Sequence, residues 1–212
     1  MSNSILCPYL SGTGFPSDIF QNQPASALID RYWDGRKAPG HLNTEVRCAW
    51  NEEDFYFYFW APFVDLYVND EWTRDESVYG LWERDVVEVF LRPEISETYF
   101  EFEVSPVGQW LDILVRRPRK DVDFGWRSGL KVQCELDSQR RLWTARLIIP
   151  AKPMIHVLQL PSAPKSGDIW KVNLFRISGA APSREYLAWQ PTFTPQPDFH
   201  VPEAFGNLIL VE

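Results

Sequence analysis

The sequence predicts an all-β domain, a two-sheet antiparallel β-sandwich with at most one short helix, and three observations carry that expectation. Apolar and polar residues alternate in short runs, which is the period of a half-buried strand. Turn residues separate the runs at close spacing, and only one segment reads as helical. Aromatic residues are plentiful, with 10 Trp, 8 Tyr and 14 Phe in 212 residues, and such side chains favour strands and binding surfaces alike. A chain of this length can bury a core as one domain, and no internal repeat divides it.

Residues 1–27 are rich in Ser, Asn, Gly and Pro without a sustained period, so they read as an irregular leader packed on a single domain of residues 28–212. Val46, Cys48 and Trp50 alternate with charged or small residues, the turn Asn51-Glu52-Glu53-Asp54 follows, and Phe55 to Trp60 completes a hairpin. Phe63 to Val68 is expected to add a short edge strand. Asn69 to Gly80 is polar, an exposed loop that delivers Trp72 and Trp82.

The central strand is Trp82 to Leu91. With a period of two, Asp85, Val87, Val89 and Leu91 share one face and Arg84, Val86, Glu88 and Phe90 the other. Glu88 stands out, because a carboxylate between apolar neighbours on a half-buried strand must be hydrogen-bonded or face a wet groove. Trp82 at the strand entrance supplies a ring on which the C–H face of a sugar can stack while the carboxylate takes its hydroxyls. Thr98 to Val104 follows as an antiparallel neighbour, with Phe100, Phe102 and Val104 on one face and Tyr99, Glu101 and Glu103 on the other. Ser105-Pro106-Val107-Gly108 turns the chain into Trp110 to Val115. Arg116 to Lys120 reads as a solvated basic loop. A second hairpin pairs Leu130 to Leu136 with Leu142 to Ile149, Ala151 to Leu160 is a short helix despite Pro153, and Trp170 to Ser178, Tyr186 to Trp189 and Asn207 to Val211 are the last strands.

A net charge of -8 and a pI near 5.0 argue against a nucleic-acid partner, which requires clustered Lys and Arg. No segment approaches the ~20 apolar residues of a membrane helix, so no membrane partner is expected. Met1 to Leu6 has neither a basic region nor an apolar run of signal-peptide type, and Cys7, Cys48 and Cys134 lack metal-ligand spacing. These features predict free thiols in a reducing cytoplasm. There is no Gly-x-Ser-x-Gly element and no Cys in a catalytic context, and Asp65, Asp70, Asp75 and Glu76 lack EF-hand-like spacing, so neither metal nor cofactor is expected.

Four stretches together resemble the family 9 carbohydrate-binding modules and the wider sandwich group that includes DOMON domains: Trp82 to Phe90; Tyr99 to Gly108; Trp170 to Ile177; and Trp189-Gln190-Pro191-Thr192 followed by Phe199 to Leu208 with its Phe-Gly-x-Leu element. The resemblance runs from about Leu28 to Glu212. It implies non-catalytic binding of a mono- or oligosaccharide in an aromatic-lined groove. In sugar-binding members two Trp rings sandwich the ligand. The first looks like Trp82, and the ligand-contacting Glu looks like Glu88. The second Trp position falls near Phe199, an Arg position is taken by Glu103 and a Gln position by Phe175. Arg176 and Trp189 complete the expected surround.

Two other functions remain open at this stage. Glu88 with Glu101 or Glu103 on the adjacent strand offers the carboxylate pair of a glycoside hydrolase. The DOMON likeness raises haem, for which Met1, Met154, His41, His156 and His200 are the candidate axial ligands.

Overall fold

Alternation sorts the strands into two stacked sheets whose apolar faces meet. The computed structural model describes residues 3–12 and 24–212. In chain order the strands are β1 (Ser4–Pro8), β2 (Ala27–Ile29), β3 (Arg31–Tyr32), β4 (Thr44–Trp50), β5 (Asp54–Pro62), β6 (Val86–Pro93), β7 (Tyr99–Val104), β8 (Trp110–Arg117), β9 (Asp121–Asp123), β10 (Lys131–Asp137), β11 (Leu142–Pro150), β12 (Ile169–Ser178), β13 (Glu185–Ala188) and β14 (Gly206–Val211). One α-helix, α1 (Ala151–Leu158), follows β11 directly. A nine-stranded sheet runs β1-β14-β12-β6-β7-β8-β9 with β13 and β3 off that path, and a five-stranded sheet runs β10-β11-β5-β4-β2.

The core lies between the sheets. Val87, Val89 and Leu91 of β6 meet Phe100, Phe102 and Val104 of β7, and Phe55, Phe57 and Phe59 of β5 oppose them; each of these side chains is essentially fully buried. Burying one such side chain contributes about 1.5 to 3 kcal/mol. The expected face assignments of β6 and β7 are observed, and the two strands pair antiparallel with Glu88 opposite Glu103 and Phe90 opposite Glu101. The hairpins β4–β5 and β10–β11 form as expected. Gly108 has φ 85° and donates to the Ser105 carbonyl at 3.0 Å, so a residue without Cβ closes the β7–β8 turn. Pro153 is tolerated in α1 because it occupies the first turn, where backbone N–H groups lack intrahelical acceptors.

Three local expectations require revision. Ser4–Pro8, inside the expected irregular leader, is a strand that pairs parallel with β14, burying Ile5 and Cys7 and leaving Leu6 exposed. Its partner lies about two hundred residues away, so local pattern carried little signal for it, and it makes one edge of an otherwise antiparallel sandwich parallel. The rest of the leader at residues 13–23 lies outside the described residues. Phe63 to Val68 is not a strand: it begins the crossing from β5 in one sheet to β6 in the other, and no strand ladder runs beside it. Trp82 lies in a 3-10 turn, Leu81–Glu83, that precedes β6 rather than in the strand.

Candidate functional site

On the outer face of the nine-stranded sheet, loops enclose a cavity of about 410 Å3. The sheet supplies the floor: Glu88 and Phe90 from β6, Glu101 from β7, Ile113 from β8 and Ile177 from β12. The turn Leu81–Glu83 brings Trp82, the segment around β9 brings Arg119, Val122 and Phe124, β13 brings Tyr186, and the segment before Pro202 brings Pro197 to His200. Rings therefore wall the cavity while carboxyl groups lie on its floor. Tyr79, Trp82 and Phe124 continue the aromatic wall outwards, with edge contacts of 5.1 Å between Tyr79 and Trp82 and 5.0 Å between Tyr79 and Phe124.

Glu88, Glu101 and Glu103 form one cluster, because Glu88 faces Glu103 across the β6–β7 ladder and Glu101 lies two residues along β7 on the same face. They are 2%, 4% and 0% exposed. Neither oxygen of Glu103 and only one of Glu101's two, Oε1, escapes the set of buried oxygens without a hydrogen-bond partner: Glu101 Oε2, Glu103 Oε1 and Glu103 Oε2 all belong to it among the described residues. Burial pushes the carboxyl of Glu88 well above its ordinary range and the charge of Glu101 adds to this, while Arg184 opposes it. The same causes act on Glu103, where Glu88 and Glu101 both add to burial. Glu101 is raised by burial and drawn back by His200. These directions follow from the cost of an anion in a low dielectric beside other anions.

The nearby cations are largely committed elsewhere. Arg184 donates to the carbonyls of Trp82 and Arg84, fixing the turn that carries the Trp82 ring. Arg119 pairs with Asp198 at 2.7 Å. His200 Nδ1 lies 2.6 Å from the Tyr99 hydroxyl and 3.9 Å from Glu101 Oε2. Burial and the Glu101 charge push the Tyr99 phenol up, so it stays protonated and shares a hydrogen bond with the His200 ring.

Of the expected ligand residues, Trp82, Glu88 and Phe199 line the cavity together. Phe175 lies behind Phe199, stacked with it at 4.0 Å and an interplanar angle of 10°, so it props the wall. Glu103 sits in the acid cluster but does not line the cavity. Arg176 and Trp189 are on the other side of the sheet. Arg176 donates to the carbonyls of Leu42 and Pro62 at 3.2 and 2.6 Å and to Thr44 Oγ1 at 3.0 Å, inside the sandwich. Trp189 packs in the main core over Gly206, where a Cβ would come within 2.5 Å of its ring. That contact explains the Gly of the Phe-Gly-x-Leu element. Parity along β12 turns Arg176 inward, opposite in face to Phe175, and packing over Gly206 takes Trp189 the same way.

Sequence reasoning missed Tyr186, Phe124, Arg119 and Asp198 as lining residues and Arg184 as a cation acting on Glu88 and Glu103. Arg119 read as part of a solvated basic loop, and nothing in its neighbours signals the Asp198 pairing 79 positions away. The haem candidates do not converge: Met154 is fully buried in the main core, and His200 is held by Tyr99; Met1 lies outside the described residues. Among the described residues, no cluster of three His, Cys, Asp or Glu is arranged to hold a metal ion, and no helix is long and apolar enough to cross a membrane.

Comparison with solved structures finds the same sandwich throughout. A provisionally assigned carbohydrate-binding protein from Bacteroides uniformis superposes with a TM-score of 0.75 at 18% identity, covering 98% of each chain. A family 9 carbohydrate-binding module from Caldicellulosiruptor kristjanssonii, solved with cellotriose, superposes with a TM-score of 0.67 at 15% identity over 98% of this chain and 93% of that one. At those identities the likeness establishes the fold. Among curated sequences, the human UPF0462 protein C4orf33 is 30% identical over 135 residues, a match that spans 60% of this chain and 59% of the human one. The model of carbohydrate-binding family 9 matches residues 42–210, which hold the cavity floor and all its walls, and the chain belongs to that family.

Proposed function

We propose that this protein binds a mono- or oligosaccharide in the cavity on the nine-stranded sheet, without chemistry on the ligand. The observation that carries the reading is the meeting of ring walls from Trp82, Phe124, Tyr186 and Phe199 with the buried carboxyl groups of Glu88 and Glu101 in about 410 Å3. Small-molecule pockets have that size and that mixture of apolar wall and few polar groups. Trp82 offers a stacking face, Phe199 an apolar edge braced by Phe175, and Glu88 an acceptor for sugar hydroxyls. Solved relatives of the same fold that bind glucose and cellotriose support the ligand class.

Binding is preferred over glycoside hydrolysis because the three acids lie side by side on one face of the sheet, whereas hydrolysis needs two carboxyl groups flanking the scissile bond. Stacking contributes about 1 to 3 kcal/mol and a charge-assisted hydrogen bond about 1.5 to 3 kcal/mol. Association costs offset much of this, so the expected Kd is about micromolar or weaker. Glycan-array screening followed by calorimetry on Trp82→Ala and Glu88→Gln tests the reading. Each substitution is expected to weaken the best ligand about tenfold or more. If no saccharide binds, or both variants bind as well as the parent, the proposal fails.

A reducing compartment such as the cytoplasm is the proposed setting, supported by three free cysteines of which Cys7 and Cys48 are buried and in thiol contact. Non-reducing mass spectrometry of the native protein showing a Cys7–Cys48 disulfide would contradict it. The charge of -8 supports leaving nucleic acid out of the partner class.

A further inference from the structure

The charge around the cavity does not suit a neutral sugar. Four carboxyl groups, Glu88, Glu101, Glu103 and Asp198, stand against two guanidinium groups, Arg119 and Arg184. Arg119 is tied to Asp198, and Arg184 directs one terminal nitrogen to the carbonyls of Trp82 and Arg84 while its charge offsets only part of the acids'. His200 shares Nδ1 with the Tyr99 hydroxyl and stands 3.9 Å from Glu101 Oε2, beyond hydrogen-bond reach. What remains is a floor with more acid than base. One of its oxygens, Glu101 Oε2, belongs to a cavity-lining side chain only 4% exposed and has no hydrogen-bond partner.

Resting on the saccharide reading, we propose that the cavity selects a cationic sugar, an amino sugar whose free ammonium group is held by Glu88 and Glu101 while its ring lies against Trp82. An ammonium supplies three N–H donors where a hydroxyl supplies one, and it carries the charge that the floor lacks. The ring walls add to this, since aromatic faces attract cations in desolvated sites. Burial holds the carboxyl groups of Glu88 and Glu101 above their ordinary range. A bound ammonium favours their ionised forms, so binding is coupled to proton release from a cluster bordered by Glu103, Tyr99, His200, Asp198, Arg119, Arg184 and Tyr186.

The test is a ladder of three sugars on the unmodified protein at about pH 7, where a sugar amine is largely protonated. Glucose, glucosamine and N-acetylglucosamine differ at one position, being neutral, cationic and neutral again. Glucosamine is expected to bind about tenfold or more tightly than either neutral sugar, the difference between a charge-assisted and a neutral hydrogen bond. Calorimetry in two buffers of different ionisation heat should register protons released with glucosamine alone. Glu101→Gln, checked for folding by circular dichroism, should bring glucosamine down to the level of glucose. Glucosamine binding no better than glucose overturns the cation inference and leaves the saccharide reading standing. Persistence of the preference in folded Glu101→Gln overturns the role given to Glu101. If no sugar binds, in the ladder or on a glycan array, both readings fall.

Discussion

Glu103 and Asp112 are both fully buried carboxyl groups, on adjacent strands of one sheet, and they face opposite sides of it. Asp112 points into the sandwich, where it accepts from the Ser128 backbone N–H at 2.6 Å and the Ser128 hydroxyl at 2.8 Å, with Arg127 at 3.4 Å. Glu103 points to the cavity side, where its one hydrogen-bond neighbour is another acid, Glu101, and the fold supplies no other donor to either oxygen. Burial raises the pKa of both groups, but hydrogen bonds from Ser128 hold Asp112 back, whereas the neighbours Glu88 and Glu101 push Glu103 further. The difference teaches where to look for function. A buried charge whose partners are all supplied by the fold belongs to the architecture, and one whose partners are missing beside a cavity is poised for a ligand.

Arg176 tests the architectural half of that contrast most severely. Burial lowers its pKa to about 10, yet both terminal nitrogens are held by Leu42, Thr44 and Pro62, with only Nε left unpaired. Arg176→Ala leaves these acceptors unpaired between the sheets and is expected to cost about 3 to 5 kcal/mol in urea unfolding. Sugar affinity of the remaining folded protein should be unchanged, since the side chain does not reach the cavity.

The matched pair Asp112→Asn and Glu103→Gln sets the two carboxyl groups against each other directly. Asp112→Asn should destabilise by about 1.5 to 3 kcal/mol through the Ser128 hydrogen bonds. Glu103→Gln should destabilise far less and should change the pH dependence. A carboxyl group raised in the folded state keeps its proton while the unfolded chain loses its own near 4.5, so stability falls as pH rises above that value towards the folded pKa. Removing Glu103 should therefore flatten the decline, measured as unfolding free energy from about pH 4.5 to pH 8. A decline as steep as in the parent would place the strain elsewhere.

The smallest effect is expected at the mouth. The Arg119–Asp198 pair is largely solvent-exposed on the Arg side, so Arg119→Ala should alter stability by less than about 1 kcal/mol. Its expected consequence is faster ligand exchange, read by stopped-flow, because the pair links the segment around β9 to the segment before Pro202 across the opening.

Sequence alone determined most of the strand runs, the two hairpins, the short helix and the face of each residue within β6 and β7, because these depend on local alternation and on turn residues. Trp82, Glu88 and Phe199 could be named together only through the likeness of whole stretches to a known family. Tertiary structure decided the rest. The strand Ser4–Pro8 exists through pairing with β14, at the opposite end of the chain. Arg176 and Trp189 went to the core because parity along β12 and packing over Gly206 turn them inward. Phe124, Arg119 and Arg184 come to the acids from loops and Tyr186 from β13, and loop paths follow from which surfaces the two sheets leave open rather than from any periodicity in their own residues.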